Sequence, residues 1–256
     1  MQKIKVYLAY SQNYHTLLLE EGARICISYG RLSVFPEWKL PQGFSDYLID
    51  SGGYQISHGT LKHPIYPQSY CFWLKGILPK YDGKVSGYCA LDTNQADETI
   101  QNYEIMRSEG LTPIPVWKHH FPREHLDYYC TQSQLIAIGG LVGKGNNGKR
   151  YYRQLLGEVS QRYPENRFHM FGLGLTAAAA FTDVKPYSID CSTWLNPSRF
   201  GNDILSDGKG GLREVELPEE LKQVLVEDEN FQHKMVRRTI KQLLSLEARN
   251  AEIKNT

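Results

Sequence analysis

Short apolar runs alternate with helix-like segments along the first 204 residues of the chain. Runs rich in β-branched and aromatic residues, each closed by glycine, proline or a polar residue, predict β-strands. Segments with capping residues at the start and acids in the first turn predict helices. The predicted strands cover residues 3–10, 24–29, 47–49, 87–91, 112–117, 135–138, 167–173 and 187–189. Helices are predicted over 11–21, 67–75, 93–107, 149–162 and the alanine-rich stretch after Gly174.

This alternation predicts parallel strands joined by crossover helices, and eight such units predict an α/β fold, a (β/α)8 TIM barrel. A doubly wound open sheet is the competing topology. The ends of the strands favour the barrel, because polar residues and glycines there would converge on one mouth instead of lying along an edge. These strand-end residues are Asp50, Asp92, Lys118, Gly139, Gly140, Gly172, Gly174 and Asp190.

The pattern changes after Gly201, where a glycine-rich loop over 207–211 precedes two predicted helices over 218–226 and 230–248. We therefore divide the chain into a barrel domain, 1–204, and a short helical C-terminal extension, 205–256, packed on the barrel. Four cations share one side of the last helix, and a solvated face is their expected role. They are Lys234, Arg237, Arg238 and Lys241.

The amino-acid composition is that of a globular protein and indicates no particular function. The chain of 256 residues is 41% apolar and 22% charged, which is ordinary for a globular protein. Its net charge of +1 creates no overall electrostatic field that would indicate binding to nucleic acid or to a membrane. The five widely spaced cysteines argue against a disulfide scaffold and against zinc. Neither a signal peptide nor a membrane span is evident, so we expect a cytoplasmic protein without a membrane partner.

The stretch from Ile49 to Gln55 carries the strongest chemical signal, because an apolar run ends there in an acid, a hydroxyl and two glycines. A strand-to-loop turn with an Asx cap is the simpler interpretation. The segment 50–55, Asp-Ser-Gly-Gly-Tyr-Gln, resembles the D-S-G-G-F-Q motif of the tRNA-guanine transglycosylases. Three further segments resemble motifs of that family in the same order, namely Ile-Gly-Gly-Leu at 138–141, Phe-Gly-Leu-Gly at 171–174, and Asp190-Cys191 followed by Arg199 and Gly201.

The departures from the family pattern are equally informative. No cysteine follows Cys191, so the family's zinc and its subdomain are expected to be absent. Trp117-Lys118-His119 replaces the family's Gln-Gly, and Lys144 replaces its glutamate. These changes, together with Trp194-Leu195, resemble the phage and bacterial branch of the superfamily, whose members place 7-deazaguanine derivatives in DNA.

The resemblance implies a role for each matching residue. Asp190 would be the nucleophile and Asp50 the general acid/base of a base exchange through a covalent glycosyl intermediate, with no cofactor and no metal. Asp92 would read the guanine edge. Ser51, Tyr54, Gly139, Gly140, Leu141 and Phe171 would contact the base. Positive charge is in local excess near the predicted mouth of the barrel, so we expect the nucleic-acid backbone to be bound there. The residues expected to bind it are Lys118, Lys144, Lys149, Arg150 and Arg199.

The function expected from these residues is replacement of guanine in DNA by a 7-deazaguanine such as 7-cyano-7-deazaguanine. The small-molecule substrate would be guanine or the 7-deazaguanine base, and a helicase or ATPase partner is compatible with the need to flip the nucleotide. Three alternatives remain open: a tRNA-guanine transglycosylase, a non-catalytic nucleic-acid-binding subunit that pairs with an active partner, and a nucleoside hydrolase using the same pocket.

Overall fold

The computed structural model describes residues 4–32, 39–61, 64–141, 145–173, 185–206 and 212–249. Within them, eight strands are paired in parallel and helices alternate with these strands along the chain. The protein therefore has the α/β, (β/α)8 TIM-barrel fold that its sequence predicts. The strands are β1 (Lys5–Ala9), β2 (Arg24–Ser28), β3 (Tyr47–Asp50), β4 (Val85–Tyr88), β5 (Val116–Lys118), β6 (Leu135–Gly139), β7 (Arg167–Met170) and β8 (Ser188–Cys191).

The predicted helices that lie within the described residues are present, and the structure adds helices that the sequence pattern does not predict, the short ones at Tyr29–Leu32 and Gly53–Ser57 among them. The sequence pattern does not predict helix α6, because only Leu126 and Tyr129 of its residues are buried and its apolar pattern is weak. Helix α7 begins at Gly145, four residues before the predicted start of this helix at residue 149. The predicted alanine-rich helix lies outside the described residues. The helices are α1 (His15–Glu20), α2 (Tyr29–Leu32), α3 (Gly53–Ser57), α4 (Pro67–Ile77), α5 (Ala96–Ser108), α6 (Arg123–Gln132) and α7 (Gly145–Arg162).

The contacts divide the chain into two compact units. Unit 2 comprises Arg24–Gly140 and Glu165–Arg167. In it, β3 pairs in parallel with both β2 and β4, and β5 pairs in parallel with β6. The three central residues of β2 are buried, as expected for a parallel strand covered on both faces. The paired strands run in one direction, so β3 and β4 bring their following loops to the same edge.

Unit 1 comprises Met1–Ala23, Leu141–Pro164 and Phe168–Thr256. Strand β8 lies between β1 and β7, and all three are parallel. The register places Tyr7 beside Asp190 and His169 beside Ser188. The central residues of β1 are buried, which explains why its sequence is a nearly continuous apolar run.

The C-terminal part of unit 1 contains a hairpin that the sequence pattern does not predict. Strands β9 (Asn202–Ser206) and β10 (Leu212–Glu216) pair antiparallel after helix α8 (Asn196–Phe200). Their asparagine, aspartate and glutamate residues are depleted in strands, so composition alone does not mark them. The predicted domain boundary at residue 204 falls within β9, and the division into domains stays a prediction.

Helices α9 (Glu219–Glu227) and α10 (Glu229–Arg249) follow the hairpin, as predicted. Val236, Ile240 and Leu243 of α10 are fully buried, and this helix packs on β1, β9 and α8. Its spacing of buried residues is that of an amphipathic helix. Among the described helices, none is both long and apolar enough to cross a membrane.

Three of the four cations on the outer side of α10, namely Arg237, Arg238 and Lys241, form ion pairs. Arg237 pairs with Glu20, and its guanidinium also lies 3.5 Å from the Glu21 carboxylate. Arg238 lies 3.1 Å from the buried Asp203 carboxylate. The cations of these pairs are all exposed, and ion pairs with exposed partners contribute little to stability, so we expect the buried face of α10 to contribute most to its attachment.

We expect Ile240→Ala to destabilise the protein by about 2–5 kcal/mol, because it removes buried methyl groups and leaves a cavity. Lys234→Ala on the exposed side of the same helix is the matched control and should change the free energy of unfolding by less than about 0.5 kcal/mol. Denaturant unfolding measures both. Equal, small changes would show that α10 is not held through this face.

Candidate active site

The most deeply buried charges described in unit 2 form an ion pair at the strand ends. Asp92 follows β4, and Lys118 is the last residue of β5. The Lys118 ammonium lies 3.1 Å from Asp92 Oδ2, and the two side chains are 7% and 8% exposed. Ser51 Oγ donates to Asp92 Oδ1 at 2.9 Å. A buried carboxylate needs such partners, so these three side chains form one polar cluster.

The ammonium of Lys118 has a further neighbour on the loop side of the cluster. It lies 3.4 Å from Ser57 Oγ, and Ser57 in turn donates to Asn94 Oδ1 at 2.6 Å. Contact of Lys118 with the nucleic-acid backbone stays a prediction. The buried ion pair gives this residue a position inside the cluster with Ser51 and Asp92.

The two glycines of the motif are required by their protein neighbours. A Cβ on Gly53 would lie 2.1 Å from each carboxylate oxygen of Asp92. Gly52 has φ +104°, and a Cβ there would lie 3.0 Å from the backbone of Gly30. The positive φ and the close approach both exclude a larger side chain. The paired glycines therefore allow β3 to turn sharply while Asp92 lies against α3.

Asp50 closes β3 and is part-buried. The Gly52 backbone N–H donates to its Oδ2 at 3.2 Å, which is the contact expected of an Asx-type turn. Tyr70 lies nearby and donates its hydroxyl to the Cys89 carbonyl at 3.1 Å. Burial, followed by the charges of Cys89 and Asp50, raises the pKa of Tyr70 well above its ordinary value. This phenol therefore stays neutral, and its hydroxyl remains a hydrogen-bond donor.

The last residue of the motif, Gln55, holds the turn in place. With its amide oriented so that every contact joins a donor to an acceptor, its nitrogen donates to Ser28 Oγ at 3.2 Å and to the Gly52 carbonyl at 3.1 Å. Its oxygen accepts from Arg31 Nε at 3.2 Å. Tyr54 is half exposed and stacks on His58 with ring centroids 4.0 Å apart. His58 therefore covers one face of the Tyr54 ring, and contact of Tyr54 with a base stays a prediction.

Unit 1 holds the second carboxylate of interest, Asp190 on β8. Its Oδ1 accepts a hydrogen bond from the Gly172 backbone N–H at 2.9 Å. His169 Nε2 lies 3.4 Å from the same oxygen, and His169 Nδ1 lies 2.8 Å from Ser188 Oγ. The Asp190 side chain is 14% exposed, whereas His169 is 1% exposed. The carboxylate is therefore held through Oδ1 by the Gly172 N–H, and the His169 ring lies beside the same oxygen without a hydrogen bond to it.

His169 is the residue that the sequence analysis missed. It lies in the apolar run of β7, where the pattern indicates only a core strand. The observation that could have identified His169 is its pairing with Ser188 on the neighbouring strand, because paired residues on one face of a sheet are in contact. That signal appears only once the pairing of β7 with β8 is known.

The remaining predicted residues fall at several places. In unit 1, the Phe171 ring makes an edge contact with His169 at 4.7 Å, and the buried Leu141 accepts a hydrogen bond from the Tyr152 hydroxyl through its carbonyl. Arg199 is exposed on α8. Gly139 ends β6 in unit 2, and Gly140 follows it; Lys149 and Arg150 are in α7, and Lys144 lies outside the described residues.

No protein-family model and no curated protein matches the chain. Among solved structures, a mutant tryptophan synthase alpha-subunit from the hyperthermophile Pyrococcus furiosus is 10% identical, covering 95% of this chain and 98% of its own, with a TM-score of 0.49. A second structure, from Aquifex aeolicus VF5, is also 10% identical, covering 94% of both chains with a TM-score of 0.48. Likeness at this level says nothing about activity.

We expect Gly53→Ala to destabilise the protein by about 1–3 kcal/mol and to displace Asp92, because the new methyl group would overlap its carboxylate. Gly76→Ala is the control. It lies in α4, where an added Cβ meets nothing within 4 Å. This control should stabilise the helix by about 0.5–1 kcal/mol. Thermal unfolding compares them, and equal behaviour of the two variants would contradict the close packing of Gly53 on Asp92.

The thiol beside Asp190 should be chemically inert in the native protein. Burial, followed by the neighbouring Asp190 carboxylate, raises the pKa of Cys191 to about 12. At about pH 8.5, near the ordinary pKa of a thiol, iodoacetamide should leave Cys191 unlabelled. The half-buried Cys130 should react faster, and denatured protein should react at both positions. Peptide mass spectrometry measures this, and equal native labelling rates would refute the burial of Cys191.

Proposed function

We propose that the protein is a base-exchange transglycosylase that replaces guanine in DNA with a 7-deazaguanine derivative. The observation that carries the proposal is the buried cluster of Lys118, Asp92 and Ser51 at the strand ends of unit 2. The four motifs shared with the transglycosylases support it from the sequence side.

The cluster supports the proposal through its arrangement of donors and acceptors. A carboxylate has two oxygens and about four acceptor positions, and an ammonium has three donors. The described contacts place Ser51 on one Asp92 oxygen and Lys118 on the other, leaving acceptor capacity on both oxygens. The cluster therefore offers a donor next to two acceptors.

Guanine presents the complementary edge, because its O6 accepts while its N1–H and 2-amino groups donate. A 7-deazaguanine has the same edge, since it differs only in the five-membered ring. One pocket can thus hold the outgoing and the incoming base. Adenine presents a donor at position 6 and an acceptor at N1, which would leave buried groups of the cluster unpaired.

The ion pair also suits a neutral ligand. Lys118 compensates the charge of Asp92, so a neutral base enters without leaving a net buried charge. A base read in this way must leave the helical stack, which is how enzymes that act on bases reach their target atoms.

The proposed chemistry uses two acids besides Asp92, namely Asp190 and Asp50. Asp190 attacks C1′ of the nucleotide, a carbon–oxygen bond forms, and the bond from C1′ to the purine nitrogen breaks. The departing base takes a proton from Asp50. The incoming base then gives a proton to Asp50, and its nitrogen attacks C1′ and releases Asp190. Two inversions retain the configuration at C1′.

An exchange assay tests this function. Purified protein is mixed with labelled guanine or a labelled 7-deazaguanine base and with duplex DNA, single-stranded DNA or bulk tRNA. We expect label in DNA that survives denaturation, and a loss of roughly 10³-fold or more in Asp190→Asn. Label in tRNA alone would assign the protein to the tRNA enzymes. Label in neither polymer, with or without host-cell extract, would refute the exchange activity.

The same assay tests the base-reading cluster. Lys118→Met should raise the KM for the base by roughly 10- to 100-fold, because it removes the donor to O6 and leaves Asp92 uncompensated. Lys75→Met is the matched control, since Lys75 lies on the surface of α4 and pairs with Glu109. Unchanged KM in Lys118→Met, with the fold intact, would remove Lys118 from the base site.

A further inference from the structure

The buried imidazole of His169 is placed to orient the carboxylate of Asp190. Both of its ring nitrogens face oxygen atoms of β8, Nδ1 towards Ser188 and Nε2 towards Asp190. Tyr7 and Phe171 pack against the ring edge-on, with centroids at 6.4 and 4.7 Å. The imidazole is 1% exposed, so water does not compete for these contacts.

The two neutral tautomers of His169 are not equivalent in this setting. If Nδ1 carried the proton, it would donate to Ser188, and the lone pair of Nε2 would face the carboxylate oxygen. If Nε2 carries the proton, it has a carboxylate oxygen, Asp190 Oδ1, 3.4 Å away, and the Ser188 hydroxyl donates to Nδ1. Buried polar atoms are almost always satisfied, yet Nε2 makes no hydrogen bond within the described residues, and Asp190 Oδ1 lies 3.4 Å from it. The Nε2–H tautomer is the one that gives both nitrogens a complementary oxygen once this contact shortens.

We infer that His169 is a positioning residue for Asp190 and that Ser188 selects its tautomer. Nε2–H and the Gly172 backbone N–H share Oδ1, which fixes the rotation of the carboxylate and leaves Oδ2 to form the bond to C1′. His169 transfers no proton and does not touch the base. This role rests on the proposed function, in which Asp190 is the nucleophile.

Amide substitutions separate the hydrogen bond from packing. In His169→Gln the side-chain nitrogen reaches the position of Nε2, whereas in His169→Asn it reaches only that of Nδ1. We expect His169→Gln to keep kcat within about 10-fold of the wild type. His169→Asn and His169→Leu should lose roughly 100-fold in kcat. The KM for the base should be unchanged in all three. Equal kcat in the Gln and Asn variants, or a rise in KM instead, would overturn the role.

A second measurement does not depend on activity. In ¹⁵N NMR of histidine-labelled protein, the His169 signals are assigned by their loss in His169→Gln. We expect Nε2 to be protonated and Nδ1 unprotonated in the wild type, and Ser188→Ala to increase the Nδ1–H form. A wild type in the Nδ1–H form would overturn the inference, whatever the assay gives.

The two measurements also distinguish this inference from the proposed function. A wild-type protein that exchanges no base under any condition refutes the function, while the tautomer still decides whether His169 donates to Asp190. An active wild type with the Nδ1–H tautomer keeps the function and removes the role of His169. Thermal unfolding of each variant shows that the compared proteins are folded.

Discussion

A carboxylate that leaves water must be given a cation or hydrogen-bond donors, and this requirement shapes the strand ends of both units. In unit 2, Asp92 has Lys118 on one oxygen and Ser51 on the other. Gly53 then has no side chain because the carboxylate fills that space. In unit 1, Asp190 Oδ1 accepts a hydrogen bond from the Gly172 N–H, and His169 Nε2 lies 3.4 Å from the same oxygen.

Under the proposed function, the two acids have different tasks. The Lys118 ammonium compensates the charge of Asp92, as suits a fixed acceptor of hydrogen bonds. Asp190 accepts a hydrogen bond from the Gly172 backbone N–H through Oδ1, and His169 lies beside the same oxygen. The proposal therefore assigns the bond to C1′ to the other oxygen of Asp190.

Some residues of the motifs serve the architecture. The indole of Trp194 is fully buried and donates to the Ala9 carbonyl at 3.2 Å. Tyr14 packs edge-on against Trp194, and its hydroxyl donates to Gln232 of α10 at 3.0 Å. The segment that follows Asp190 is thereby fixed to the core of unit 1. Gln55 has a comparable role in unit 2, where it holds the turn after β3.

The sequence by itself determined the eight strands, most of the helices and the acids at the strand ends. Parallel strands covered on both faces give apolar runs that stop abruptly, so their ends are visible in one dimension. The hairpin of β9 and β10 was missed because its polar strands leave no such trace. The partners of the acids were decided by tertiary structure alone. Lys118 reaches Asp92, and His169 reaches Asp190, because the strands that carry them lie side by side. A local sequence pattern indicates which residues are buried, but it does not indicate which distant residues the pairing of strands brings into contact.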